Sequence, residues 1–234
     1  MANSALIILT SHDQIGETGT ATGFYWEELA VPYWALRDAG YAVDIASVAG
    51  GAPPADPSSE KTEGRPAAVQ RFLDDAAAMT ALRSARAVSG IAADSYDAVF
   101  LPGGHGTMWD LAQTPAVGQA VARAYEAGAV VGAVCHGPAG LTEARLSDGT
   151  PLVSGKRVNG FTDAEEAAVG LTDVVPFLLE TRLKERGAIF EKTEENFAPY
   201  AVRDGRLVTG QNPSSSALVA DLMLEALAAE VNAA

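Results

Sequence analysis

The sequence predicts an α/β protein with a parallel sheet covered by helices on both faces and a nucleophile elbow at the end of one strand. Apolar runs rich in β-branched residues, at 5–10, 42–47 and 130–134, alternate with segments of helical periodicity. Such alternation is typical of βαβ units, whose crossover helices bury both faces of a parallel sheet. The length of 234 residues suits one domain of this class, so residues 1–234 are predicted to form a single domain.

The first part of the chain has the pattern of a βαβ unit followed by a surface segment. Residues 5–10 and 42–47 are predicted strands, and residues 24–39 between them are a predicted helix closed by Gly40. Residues 50–66 are rich in Pro, Gly and Ser without apolar periodicity, so they are predicted to form a surface excursion of undetermined role.

The remaining elements follow from the same signals. Predicted helices occupy 67–86, 115–127, 176–185 and 214–229, with a further helix start at 163–166. Predicted strands occupy 96–101, 130–134, 151–153 and 157–161, with a hairpin over 201–209 turned by an Asp-Gly pair.

The predicted strand at 130–134 ends at Cys135, the one cysteine of the chain. Gly137 and Pro138 favour a tight turn into a helix, and small residues stand two before and two after the cysteine, as in a nucleophile elbow. A thiol there meets helix N–H donors and the helix dipole, which favour a thiolate of lowered pKa. The alternative is an inert cysteine that packs as a small hydrophobe.

A reactive cysteine needs a base, and the chain contains three histidines, His12, His105 and His136. His136 follows the cysteine directly, and a strained elbow can bring the two side chains together. His105 lies in a glycine-rich loop after a strand, where Gly104 can present an N–H to an anion. Loops at the carboxyl ends of parallel strands share one crevice, which predicts that His105 and Cys135 meet there. A packing role is the alternative for His105, solvent exposure for His136, and a structural role is favoured for His12.

Glutamates occupy two predicted helix starts. Glu28 falls on the inward face of the first helix, and Glu165 and Glu166 fall in the first turn that begins at Asp163. From the pattern alone, stabilisation by the helix dipole is sufficient to explain all three.

Composition excludes several classes of function. The net charge of −14 and pI of about 4.5 argue against nucleic-acid and anionic-membrane partners. No Cys-x-x-Cys or His-Glu-x-x-His spacing occurs, so no metal site is predicted. No segment approaches the ~18 apolar residues that span a bilayer, and no basic segment precedes the first apolar run, which leads us to expect a cytoplasmic protein without a signal peptide.

Several motifs together resemble the PfpI-like superfamily, which has a flavodoxin-like, class I glutamine-amidotransferase-like fold. They are Thr22-Gly-Phe-Tyr-Trp-Glu-Glu-Leu-Ala-Val-Pro32, Leu101-Pro-Gly-Gly-His-Gly-Thr-Met-Trp-Asp-Leu111, Ala133-Val-Cys-His-Gly-Pro138, Gly160-Phe-Thr-Asp-Ala-Glu-Glu166 and Gly210-Gln-Asn-Pro-Ser-Ser215. Within the superfamily they resemble the branch of glutathione-independent glyoxalases (glyoxalase III) and small stress chaperones.

The resemblance implies a Cys135 nucleophile, a His136 base and a glutamate as third member of a triad. Glu166 is our choice for that glutamate, and Glu165 is the competing register. The resemblance also places Glu28 beside the thiol, which favours a role in catalysis over dipole stabilisation.

The remaining implied parts belong to the substrate pocket. The N–H groups of Gly104 and His136 would form an oxyanion hole, and His105 would line the pocket. The implied activity is a lyase reaction that converts methylglyoxal to lactate without glutathione or another cofactor, in the manner of a D-lactate dehydratase. Its partner is a small dicarbonyl substrate. A cysteine-dependent amidase or peptidase and a holdase-like stress chaperone are the alternatives, and the oligomeric state stays open, with a homodimer as one arrangement.

Overall fold

The computed structural model describes residues 3–233 and is built on a seven-stranded sheet. Its strands in chain order are β1 Ser4–Leu9, β2 Ala42–Ser47, β3 Arg86–Ala87, β4 Ala98–Leu101, β5 Val130–Val134, β8 Ala201–Asp204 and β9 Leu207–Gly210, while β6 Arg157–Val158 and β7 Ile189–Phe190 form a separate pair. The order across the sheet is β3-β2-β1-β4-β5-β9-β8. All neighbours are parallel except β8, which pairs antiparallel with β9.

Eight α-helices accompany the strands in this part of the chain. They are α1 Trp26–Asp38, α2 Ala67–Asp74, α3 Ala76–Arg83, α4 Thr107–Asp110, α5 Pro115–Glu126, α6 Asp163–Ala168, α7 Leu179–Glu185 and α8 Ser216–Ala233. Strand β5 contacts both α5 and α8 and is buried along its whole length, as expected for a strand covered on both faces. Strands drawn from Ser4 to Gly210 share this one sheet and one hydrophobic core, and the single domain over 1–234 stays a prediction. None of the helices described is both long and apolar enough to cross a membrane.

The structure differs from the sequence-based prediction mainly between residues 151 and 190. The predicted strand at 151–153 is reduced to one isolated bridge between Arg145 and Pro151. The strand predicted at 157–161 keeps only two residues, which pair with the unpredicted β7. Both segments are short, so their pairing depends on tertiary neighbours rather than on a local pattern. The predicted helix at 67–86 divides at Asp75, whose side chain accepts a hydrogen bond from the Ala78 N–H and caps α3.

The proline-rich excursion at 50–66 packs beside the N-terminal end of α1. The Phe24 N–H donates to the Pro54 carbonyl at 2.9 Å, and the Asp56 N–H donates to the Phe24 carbonyl at 2.8 Å. Inside the excursion Asp56 accepts hydrogen bonds from the N–H and hydroxyl of Ser58. The excursion therefore brings polar side chains to the carboxyl end of the sheet.

Gly132 in β5 lies against the core face of α8, and its lack of a side chain permits this close approach. A Cβ there would collide with the Met223 sulfur and would lie 2.9 Å from the Phe100 ring. We expect Gly132→Ala to lower the free energy of unfolding by about 1–3 kcal/mol through overpacking. Urea unfolding followed by circular dichroism measures the change. Gly90→Ala is the matched control, because nothing lies within 4 Å of the added methyl group, and equal stabilities for the two variants would contradict the packing argument.

Candidate active site

Cys135 lies directly after β5 at a sharp turn. Its φ is +58°, a left-handed conformation that side chains rarely adopt, and its N–H donates to the Gly210 carbonyl at 2.9 Å. The chain then enters the 3₁₀ helix Gly137–Leu141. A Cβ on Gly137 would collide with the Leu101 carbonyl, so glycine is required for the turn. This strained turn is the nucleophile elbow that the sequence predicts.

A connected row of polar side chains runs from the thiol. The Sγ of Cys135 lies 3.3 Å from Nδ1 of His136, and Nε2 of His136 lies 2.8 Å from Oε2 of Glu166. The other carboxylate oxygen, Oε1, lies 2.9 Å from Nε2 of His105. The structure thus brings Cys135, His136, Glu166 and His105 together, and one carboxylate serves both imidazoles.

The charges in this row follow from burial and hydrogen bonding. Although burial raises the pKa of Glu166, hydrogen bonds from His105 and His136 outweigh it and lower that pKa to about 2. Burial, assisted by the neighbouring His105, lowers the pKa of His136 to about 4. The His136 ring is therefore neutral near pH 7. Because its Nε2 faces an ionised carboxylate and carries the proton, Nδ1 has a free lone pair toward the thiol.

Glu28 reaches the thiol from α1. Its Oε2 accepts a hydrogen bond from the Gly103 N–H at 2.6 Å, while Oε1 is buried and makes no conventional hydrogen bond to the described residues. Glu28 and Cys135 lie close enough for each to shift the pKa of the other. Burial raises the pKa of Glu28 to about 8, so the carboxyl is mainly protonated near neutral pH.

The thiol itself departs from the expectation of a lowered pKa. Burial raises the pKa of Cys135, and the charge of an ionised Glu28 raises it further, against the N–H groups of His136 and Gly104 that lower it. The helix that follows is a 3₁₀ helix of five residues, Gly137–Leu141, which supplies less dipole than a longer α-helix would. At rest the thiol is therefore protonated.

The glycine-rich loop after β4 brings backbone donors to the sulfur. Gly104 has φ of +99°, and a Cβ there would collide with the Gly23 carbonyl. At Gly103 a Cβ would lie 2.7 Å from Oε2 of Glu28. Only glycines allow this approach, through which the Gly104 and His136 N–H groups reach the thiol. The oxyanion hole that the resemblance implies at Gly104 and His136 stays a prediction.

The thiol opens into a cavity of about 260 Å³. Its lining comprises Tyr25, Asp56, Ser58, Gly104, His105, Cys135, His136, Phe161, Val169, Phe197 and Pro213. Sequence reasoning identified the members that carry chemistry but missed the others. Phe161 stands inside the motif at 160–166, whereas Asp56 and Phe197 lie in segments without periodicity, so only the tertiary fold could reveal them.

Comparison with known proteins agrees with this geometry. A family model described as the DJ-1/PfpI family matches residues 20–226. The chain belongs to the DJ-1/PfpI family. Its fold class and the superfamily predicted from the motifs are therefore confirmed.

Relatives of this DJ-1/PfpI protein include two from yeasts. Glyoxalase 3 of Candida albicans is 30% identical over 94% of this chain and 97% of its own length. Glutathione-independent glyoxalase HSP31 of Saccharomyces cerevisiae is 31% identical over 95% of this chain and 97% of its own length. The crystal structure of Candida albicans glyoxalase III has a TM-score of 0.89 at 29% identity, covering 96% of this chain and 97% of that one. The structure of Rapid Encystment Protein 24 KDa of Francisella tularensis has a TM-score of 0.91 at 35% identity, covering 96% of this chain and 99% of that one.

Glu165, the alternative to Glu166 as the third member of the triad, occupies a separate buried position. Its carboxylate accepts four hydrogen bonds at 2.8 to 3.0 Å, from the Thr162 and Phe197 N–H groups and from the Gln211 and Asn212 side chains. Glu165 also forms a capping box with Thr162 at the start of α6. Its hydrogen bonds therefore anchor the segments around the pocket, while Glu166 contacts the imidazoles.

Ligand atoms of His105, His136 and Glu166 lie within 4.8 Å of one another, a spacing that could hold a divalent ion. Their mutual hydrogen bonds already account for this arrangement, and the absence of a metal stays a prediction.

His12 is not among the residues that line the cavity, and its ring stacks on Trp109 with centroids 5.2 Å apart.

Glu28 should control how the Cys135 thiolate depends on pH. Glutamine keeps both an acceptor for the Gly103 N–H and a donor for the sulfur, whereas alanine keeps neither. We expect Glu28→Ala to react more slowly with iodoacetamide than wild type at pH 7, where the protonated wild-type carboxyl can donate to the sulfur. Below about pH 8 wild-type Glu28 is protonated, so Glu28→Gln should match wild type there. Above that pH the ionised wild-type carboxyl raises the thiol pKa, so the glutamine variant should react faster.

Alkylation rate against pH for the three proteins tests this assignment. Superimposable profiles would mean that Glu28 does not tune the thiol and has only a helix-terminal role. Mass spectrometry confirms that Cys135, the one cysteine of the chain, is the alkylated residue.

Proposed function

We propose that this protein is a glutathione-independent glyoxalase, which converts methylglyoxal and related 2-oxoaldehydes to 2-hydroxy acids and so removes reactive dicarbonyls. The observation that carries the proposal is the contact row from Cys135 through His136 to Glu166 at the floor of a small cavity. Relatives whose names state this activity align over nearly the whole chain, which gives further support.

The first step is addition of the thiol to the aldehyde. Because Cys135 and His136 are both neutral at rest, Nδ1 of His136 accepts the thiol proton while the S–C bond forms. In this scheme the Gly104 and His136 N–H groups, which reach the thiol, stabilise the negative oxygen. The proton then passes to that oxygen, which gives a hemithioacetal.

The second step moves a proton between neighbouring carbons. His136 removes the hydrogen of the former aldehyde carbon as a proton, and the electron pair forms an enediolate whose charge lies on the oxygen of the adjacent carbon. The proton then returns to the adjacent carbon, while the hydroxyl proton of the former aldehyde carbon passes to the oxygen of its neighbour. The product is a thioester of the 2-hydroxy acid, so one carbon is oxidised and its neighbour is reduced. The ionised Glu166 stabilises the imidazolium that forms twice in this sequence.

The last step is hydrolysis of the thioester. Water adds to the thioester carbon, the C–S bond breaks and the sulfur recovers its proton, which releases lactate when the substrate is methylglyoxal. The sum is addition of one water to the substrate, so the scheme needs no external oxidant, reductant or cofactor. Glu28 would assist by donating a hydrogen bond to the sulfur as it leaves and as it attacks.

We further propose a cytoplasmic enzyme whose partner is the small dicarbonyl. The lone thiol suits a reducing compartment, and the charge of −14 disfavours polyanionic partners. A homodimer stays a prediction that sedimentation equilibrium would test.

The proposal is tested by incubating the protein with methylglyoxal without glutathione and following lactate by proton NMR. Wild type should produce lactate, and Cys135→Ser should lose more than about a thousandfold in rate while keeping its circular dichroism spectrum. Treatment with EDTA should leave the wild-type rate unchanged. Lactate production by the serine variant would contradict the thiol mechanism, and hydrolysis of peptides in place of lactate production would favour the amidase alternative.

The neighbouring glutamates provide a matched pair of variants. Glu166→Gln should lower kcat about a hundredfold or more, because an amide cannot stabilise the imidazolium as a carboxylate does. Glu165→Gln should cost less activity but about 1–3 kcal/mol of stability, because its amide nitrogen would face donors that the carboxylate now accepts from. Lactate assays and urea unfolding separate the two effects. A reversed pattern would assign the triad to Glu165.

A further inference from the structure

Two exposed apolar side chains lie at the cavity above Cys135. Four large hydrophobic residues are exposed in the described part of the chain, namely Val169, Ile189, Phe197 and Leu218. Two of these, Val169 and Phe197, line the cavity, each with 43% of its surface accessible. An exposed apolar side chain contributes less to the stability of the fold than a buried one. Exposed apolar surface in a concave site is typical of ligand binding.

Phe197 is also held in an unfavourable backbone conformation. Its φ is +64°, and among the described non-glycine residues only Cys135 shares a positive φ. Both residues line the same cavity. The Phe197 N–H donates to Oε1 of Glu165 at 2.8 Å, and this glutamate is fully buried. Strain that the surroundings maintain at a site is a sign of function rather than of packing.

A series of rings connects this residue to the proposed catalytic base. The His136 and Phe161 ring centroids lie 4.3 Å apart, and the Phe161 and Phe197 centroids lie 6.1 Å apart. Phe161 is itself fixed beside the nucleophile, because its N–H donates to the Cys135 carbonyl at 2.8 Å. Phe161, Val169 and Phe197 form an apolar strip, which begins beside the triad and ends at the cavity mouth.

We propose that the apolar strip binds the substituent R of 2-oxoaldehydes R–CO–CHO, so that the enzyme favours substrates with an aromatic or other apolar R. The inference rests on the proposed function. Once the aldehyde carbon is bonded to Cys135 and its oxygen faces the Gly104 and His136 N–H groups, R extends away from the sulfur toward the mouth. Rings at that position give R an apolar surface to pack on, with aromatic pairs preferred.

The size and polarity of the cavity support this assignment. Its volume of about 260 Å³ approaches the ~300 Å³ at which pockets accept drug-sized ligands, well beyond the need of a three-carbon substrate. The charged side chain at the cavity wall, Asp56, is already engaged by the Thr22 hydroxyl at 2.8 Å and by Ser58. A polar R would therefore find few partners besides the hydroxyl of Tyr25, whereas an apolar R would cover the exposed strip.

The test compares kcat/KM for phenylglyoxal, in which R is a phenyl ring, with kcat/KM for glyoxal, in which R is hydrogen. Intrinsic aldehyde reactivity is the same for every variant, so a change in this ratio reports on the strip. Phe197→Ala keeps the backbone strain but removes the ring, and should lower the ratio about tenfold. Val169→Ser should lower it by a smaller factor, and Phe197→Leu should retain most of it.

Leu218→Ala is the matched control, because Leu218 has the same 43% exposure and does not line the cavity. Its ratio should equal that of wild type. Circular dichroism establishes that each variant is folded, and Val169→Ser and Phe197→Leu carry the test if Phe197→Ala does not fold.

The outcomes separate this inference from the proposed function. Turnover by wild type with an unchanged ratio in the Phe197 and Val169 variants would overturn the apolar strip alone. Equal losses on both substrates would also overturn it, since they would indicate a general structural effect. Failure of wild type to turn over any 2-oxoaldehyde would overturn the proposed function and the strip with it.

Discussion

The ionised carboxylate of Glu166 holds the two imidazoles of the site in one arrangement. Each carboxylate oxygen lies within 2.9 Å of a different ring nitrogen, so the protons of His105 and His136 are fixed on the sides that face it. That constraint leaves Nδ1 of His136 as the acceptor toward Cys135. Without this anion the buried His136 ring would have no group to fix its tautomer and no charge to balance an imidazolium.

Glu28 and Glu166 show how one residue type acquires two protonation states in a single site. Glu166 has two imidazole donors, which lower its pKa to about 2 despite burial. Glu28 has one backbone donor and no cation, so desolvation dominates and raises its pKa to about 8. The thiol is therefore flanked by a neutral donor and a neutral acceptor. A resting site without net charge on the sulfur suits an uncharged dicarbonyl, because activation occurs only as the substrate bond forms.

The elbow could be predicted because its signals lie close together in the sequence. A run of β-branched residues predicts the strand, Cys135 ends it, and the Gly-Pro pair that follows favours a turn. The register of Glu166 over Glu165 came from the family resemblance, because both occupy the first turn of α6 and the pattern cannot distinguish them. The direction of the thiol pKa was missed, because it depends on burial under α1 rather than on the turn. Phe197 was missed for a similar reason, because its left-handed backbone is imposed by a distant glutamate and leaves no local signal.

The adjacent glutamates of α6 connect the chemistry to the shape of the cavity. Successive residues of a helix point about 100° apart, so Glu166 faces the imidazoles while Glu165 faces the segments that carry Phe197, Gln211 and Asn212. The capping box at Thr162 fixes the first turn of α6 and thereby fixes both directions at once. A rotation of this helix that displaced the Glu166 carboxylate from His136 would also displace Glu165 from the Phe197 N–H. The fold therefore couples the position of His136 and the position of Phe197 through one short helix.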